Sequence, residues 1–225
     1  MMGFYSSYLI LLPALILALY AQNKVKSTYR KYSKVASQRG WNGAQTARSL
    51  LNENGLSEIK IEKIPGTLTD HYDPRSKVLR LSAPIHDSSS LSALGIAAHE
   101  TGHAIQDSRG YLPLRIRHAI FPATALGTNL AFPLFFIGFL FGGRFLMNLG
   151  ILFFSAAVIF QIVTLPVEFN ASKRALVLLE EGNYLGEEEI SGASKVLSAA
   201  ALTYLAATAM AVMQLLRLLI LRQSR

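Results

Sequence analysis

The 225 residues contain no cysteine, which excludes disulfide bridges and thiolate metal sites. Any transition-metal centre must therefore be built from imidazoles and carboxylates, and both are scarce. The five histidines are His71, His86, His99, His103 and His118, and 14 acidic residues stand against 22 lysines and arginines, giving a net charge of +8. Between Asp107 and Glu168 there is no acidic residue, and beyond Glu168 come only Glu180, Glu181 and the run Glu187 to Glu189. The chain also lacks an internal repeat and any low-complexity linker long enough to separate independent domains.

Apolar sequence is abundant. The composition is 51% hydrophobic with a mean hydropathy of +0.32, too apolar for an ordinary soluble domain of this size. Phe4 to Ala21 carries no charge and has Phe4, Tyr5, Tyr8 and Tyr20 near its ends, as interface anchors require. No positive residue precedes this run and a dense basic segment follows it, which suits an uncleaved anchor better than a secretory signal. Two further runs, about 118–141 and 145–166, are separated only by Gly142-Gly143-Arg144 and read as a transmembrane hairpin. Val196 to Leu216, rich in alanine, is long enough to span or to pack closely on other helices.

The positive charges beside these runs set an orientation. Lys24, Lys26, Arg30, Lys31, Lys34 and Arg39 follow the first run and Arg109, Arg115 and Arg117 precede the second, which places the intervening loop in the cytoplasm. Arg222 and Arg225 oppose this rule if the last helix crosses. The basic excess is thus explained by membrane topology and contact with anionic lipid, and no nucleic-acid partner is expected.

Residues 99–103 read His-Glu-Thr-Gly-His. On a helix this spacing puts His99 and His103 on one face, one turn apart, where both imidazoles reach one zinc ion, with Glu100 beside it as a candidate general base. Ser88-Ser89-Ser90 supplies capping hydroxyls, and Leu91, Leu94, Ala98 and Ile105 recur at helical spacing, so the motif lies in a helix. A catalytic zinc needs a third protein ligand. The extended pattern with Gly and His at 106 and 109 is excluded by Gln106 and Arg109. Glu180, Glu181 and Glu187 to Glu189 read as a solvated acidic patch. Glu168, at the end of the third apolar run, is the remaining candidate; a carboxylate at a membrane-helix end also serves simply as a solvated group.

Between the first anchor and this helix, residues 41–55 read as a short amphipathic helix closed by Gly55. Ile59 to Ile64 alternates in strand period, Pro65-Gly66 marks a turn, and Val78 to Leu81 reads as the far arm of a hairpin. An exposed edge of such a sheet offers backbone hydrogen bonds to an extended peptide.

The segments Leu68-Thr69-Asp70-His71-Tyr72-Asp73-Pro74-Arg75, Ala97 to Gln106 and Pro166-Val167-Glu168-Phe169-Asn170-Ala171-Ser172 together resemble the YugP-like membrane zinc metallopeptidases, across nearly the whole chain. The resemblance implies a membrane-embedded neutral zinc peptidase, distantly similar to the HtpX proteases, with His99, His103 and Glu168 matching the metal ligands and Glu100 the catalytic glutamate. Where the HtpX-like pattern has an aspartate four residues after the ligand glutamate, this chain has Ser172; Asn170 or Ser172 is then the candidate acceptor for a histidine N–H.

The expected architecture is a mostly α membrane protein with three to four transmembrane helices and a small α+β cytoplasmic zincin-like domain carrying the HExxH helix. Its segments are 1–22, first transmembrane helix; 23–117, cytoplasmic metallopeptidase region; 118–166, transmembrane hairpin; 167–195, third-ligand helix and acidic loop; and 196–225, C-terminal transmembrane or membrane-packed helix. The expected activity is zinc-dependent endopeptidase cleavage of protein or peptide substrates, with Glu100 as base, at the cytoplasmic face of the plasma membrane. His71, Tyr72, Arg174 and Tyr204 are polar candidates for stabilising the oxyanion. A non-catalytic zinc-binding scaffold and a metal transporter are the rival readings.

Overall fold

The computed structural model describes residues 7–224; Phe4 and Tyr5 of the expected anchor, and Arg225, lie outside the described residues. The chain is mostly helical, with helices α1 (Leu12–Tyr32), α2 (Gly43–Glu53), α3 (Ala83–His86), α4 (Leu91–Ser108), α5 (Leu112–Phe141), α6 (Arg144–Glu181) and α7 (Glu187–Gln223). Three short strands, β1 (Lys60–Ile64), β2 (His71–Asp73) and β3 (Val78–Ser82), form one sheet. Two compact units result. One comprises Leu112–Pro166 with the described parts of Met1–Gln22 and Leu202–Arg225, the other Asn23–Tyr111 with Val167–Ala201.

The first unit is a helical bundle whose apolar side chains face both inward and outward. Phe135, Met147 and Leu218 are fully buried, while Leu126, Leu140, Phe141, Phe145 and Leu152 are exposed. An apolar exterior of this kind is disfavoured in water and favoured in lipid. Gly142, at φ 75°, makes the tight turn between α5 and α6. Gly150 lets the two helices touch, since a Cβ there would lie 2.6 Å from the Ala131 carbonyl oxygen. Arg217 is buried in this unit, with its guanidinium 3.7 Å from the centre of the Tyr8 ring and Nε 3.3 Å from Ser7 Oγ. Among the described residues, four helices are long and apolar enough to cross a membrane: Leu9–Tyr32, Leu112–Phe141, Arg144–Glu181 and Glu187–Gln223.

In the second unit, α2 begins with a reciprocal capping box: Asn42 accepts from the Gln45 N–H and the Gln45 side chain accepts from the Asn42 N–H. Its apolar face, Ala47, Leu50 and Leu51, is fully buried in a core with Leu79, Leu81, Leu94, Ile105 and Leu179. Ser90 caps α4 through the Ala93 N–H at 3.2 Å. Leu91, Leu94, Ala98 and Ile105 all face this core, as their spacing requires.

Three expectations are corrected. Ile59–Ile64 and Val78–Leu81 are not the arms of one hairpin: β1 and β3 pair in parallel, and the hairpin is β2 with β3, around Pro74 to Lys77. The sheet order is β1-β3-β2. Residues 65–70 carry the chain past the β3 position, where Asp70 receives the Ser82 N–H at 2.7 Å and its hydroxyl at 3.0 Å, so β3 inserts between the other two strands. Second, the helices outrun the apolar segments. α1 continues through Lys24, Lys26, Arg30 and Lys31, and α6 runs on past Pro166 to Glu181. Third, Glu187 to Glu189 is not a loop but the first turn of α7, where acidic side chains oppose the helix dipole favourably; Glu187 and Glu188 are exposed, as a solvated patch requires. Glu189 is buried and accepts from the backbone N–H groups of Gln38 and Gly186, both at 2.8 Å.

Candidate metal centre

α4 presents His99 and His103 on one face, and α6 brings Glu168 to them across a close helix crossing. The crossing depends on Gly102, where a Cβ would lie 2.8 Å from the Ala171 carbonyl oxygen. Glu168 Oε2 is 3.3 Å from His99 Nε2 and 3.5 Å from His103 Nε2. Two ligand atoms on a tetrahedral zinc, each about 2.0–2.1 Å from the ion, are separated by roughly 3.3–3.4 Å. The three potential donors lie within 4.8 Å of one another, and the imidazole rings stand edge to face, with centroids 4.7 Å apart.

The far sides of both rings are engaged. His99 Nδ1 lies 3.1 Å from Ser172 Oγ, and His103 Nδ1 lies 3.0 Å from Gln106 Oε1. Gln106 is fully buried and its orientation follows from its partners. Arg174 Nε donates to Asn170 Oδ1 at 2.7 Å, which identifies that atom as an acceptor. Gln106 Nε2 donates to the same oxygen at 3.0 Å and to the Val167 carbonyl at 2.8 Å. Gln106 Oε1 is therefore left to accept the His103 Nδ1–H, and the lone pair of His103 falls on Nε2, the atom beside Glu168.

The electrostatics also suit a cation. Burial alone disfavours a charged His103, but the nearby carboxylates of Glu168 and Glu100 outweigh that and raise its pKa. The donor set, its spacing and its field thus fit a zinc ion. Glu100 is nearly buried, one residue beyond His99, and its Oε2 accepts the backbone N–H of Tyr72 at 3.1 Å. Burial likewise raises the pKa of Asp70, against the bonds from Ser82, with the Glu100 charge adding to the rise.

Of the other polar candidates, His71 is exposed on β2 and its Nδ1 lies 2.9 Å from the Thr69 carbonyl oxygen. Arg174 is bonded to Asn170, and Tyr204 belongs to the other compact unit. Tyr72 contributes its backbone N–H to Glu100 and its hydroxyl to Asp107 at 2.9 Å. The role of Gln106 was not legible beforehand, because its partners Val167 and Asn170 lie 61 and 64 residues away. Its position three residues after His103, on the same helix face, was the available signal.

Comparison with known proteins points to the same class. The chain belongs to the family described as "Putative neutral zinc metallopeptidase", whose model matches residues 7–223. It is similar to the "Putative membrane protease YugP" of Bacillus subtilis (strain 168), with 50% identity over 204 residues that make up 91% of each chain. No solved structure matches it.

Proposed function

We propose that this chain is a membrane-embedded zinc endopeptidase in which His99, His103 and Glu168 hold the metal and Glu100 is the general base, with the site facing the cytoplasm. The observation that carries the reading is the placement of two Nε2 atoms at 3.3 and 3.5 Å from one carboxylate oxygen. Bound there, zinc supplies Lewis acidity toward a water and a peptide carbonyl. Glu100 takes the proton released by the attacking water and delivers it to the departing amine. Tyr72 N–H holds the Glu100 carboxylate in position. β2 is an edge strand, so an extended substrate aligned along it lies beside Glu100. Gln106 keeps the His103 imidazole presenting Nε2, and Ser172 orients the His99 ring.

The test is Glu100→Gln in the full-length protein. The variant should retain zinc by elemental analysis and its thermal stability, yet lose at least 100-fold in cleavage of an unstructured substrate such as casein. Glu168→Ala should lose the metal itself. Unchanged cleavage in Glu100→Gln overturns the mechanism, and full zinc occupancy in Glu168→Ala overturns the ligand set.

A further inference from the structure

Beside the metal centre, within the same compact unit, α6 and the C-terminal end of α4 enclose a second feature: a cavity of about 400 Å³. Its lining includes Arg109, Lys173 and Arg174, with Ile105, Val177 and Leu178 supplying apolar wall. Asn54, Asn170 and a single acid, Glu181, complete it. Among the described residues, none of the three cations is in an ion pair: Arg109 donates to Asn54 Oδ1 at 3.2 Å and Arg174 to Asn170 Oδ1. Three unpaired cations around one concavity, opposed by one carboxylate, create a local field that favours an anion. Arginine's planar fork and lysine's point charge both suit phosphate oxygens.

The position of the cavity distinguishes an amphiphile from a simple inorganic anion. Lys173 and Arg174 follow the apolar run ending at Pro166 by seven and eight residues on the same helix, and Phe169, between them, is 47% exposed. Basic residues placed just after a membrane-length apolar run are drawn to anionic headgroups. We propose that this cavity is a binding site for the phosphate of an anionic phospholipid, held by Arg109, Lys173 and Arg174. The assignment is independent of whether the neighbouring centre binds zinc.

The test is lipid retention by the intact, detergent-purified protein, measured by native mass spectrometry after exposure to phosphatidylglycerol or phosphatidylcholine. The wild type should retain one phosphatidylglycerol and little phosphatidylcholine. Arg109→Gln with Lys173→Gln, both at exposed positions, should lower phosphatidylglycerol retention about tenfold or more. The control, Lys60→Gln with Lys195→Gln, removes the same charge from exposed positions outside the cavity and should leave retention unchanged. Equal losses in the two double variants, or no loss in either, overturn the site. Binding of inorganic phosphate by the wild type without retention of phosphatidylglycerol overturns the lipid as its source.

Discussion

At the scale of single residues, Gln106 carries more than its neutral side chain suggests. Its amide donates to Val167 and Asn170 and accepts from His103, so the imidazole is fixed in one tautomer by an uncharged group. Ser172 Oγ lies against His99 Nδ1 and orients that ring, though a hydroxyl both donates and accepts and so leaves the tautomer free. Loss of such partners costs typically 10–100-fold in metal affinity. Gln106→Ala is therefore expected to weaken zinc binding by about that factor, measured by competition with a chromophoric chelator, while Glu100→Gln leaves it intact. Ser172→Ala should weaken binding less, because a rotatable hydroxyl that both donates and accepts holds a ring less firmly than an amide fixed by two further bonds. Ser172→Asp should restore or exceed wild-type affinity by raising the basicity of His99. A Gln106→Ala form with unaltered affinity would mean that the buried amide serves packing alone. The His-Glu-Thr-Gly-His run and Glu168 were readable because metal chemistry restricts the eligible side chains to very few. Gln106 was not, because an amide becomes informative only once its partners are known.

Among the elements, the contact between α4 and α6 determines whether Glu168 reaches the imidazoles at all. Gly102 sits in the motif as one of its unrestricted positions, yet it is where the two helices touch. A methyl group there meets a backbone carbonyl, which cannot rotate away, so the helices must separate. Gly102→Ala should cost on the order of 1–3 kcal/mol of stability and, by moving Glu168 away from His99 and His103, lower zinc affinity more than its effect on thermal unfolding alone accounts for. Parallel measurements of chelator competition and thermal melting separate the two effects; a stable variant with normal affinity would show that the crossing has slack. Helical periodicity made α2 and α4 legible, with Asn42, Ser90 and Gly55 marking their ends. The sheet was legible only in part. Alternation in Ile59 to Ile64 and the run Val78 to Leu81 marked strands, but β2 is three residues long, too short for periodicity to register, and because it is the strand that forms the hairpin with β3, β1 and β3 pair in parallel. Helix ends were also misjudged where apolar runs pass into charged helix, since hydropathy records what faces lipid while backbone hydrogen bonding continues beyond it.

For the molecule as a whole, charge and helix length make competing demands. The positive residues around the second unit favour the cytoplasmic side for it, and two crossings by the α5–α6 hairpin would return the chain to that side. α7, at 37 residues, is about 55 Å long by its helical rise, well beyond the roughly 30 Å of a hydrocarbon core. Its length therefore permits a full crossing that would carry Arg222 to the outer face, against the charge rule. Burial of Arg217, with its guanidinium over the Tyr8 ring, is consistent with the first and last helices meeting near the same end of the bundle. In the proposed orientation the basic cluster that begins at Lys24 is cytoplasmic, and that shared end then lies on the outer side. The absence of native cysteine makes the assignment measurable with a single introduced thiol. In intact cells, Gln223→Cys should react with a membrane-impermeant maleimide, whereas Ser57→Cys, exposed in the second unit, should react only after the membrane is permeabilised. Labelling of Ser57→Cys in intact cells would invert the proposed orientation of the metal centre; protection of both positions would place the carboxyl-terminal end of α7 on the cytoplasmic side and leave α7 packed against the membrane rather than crossing it.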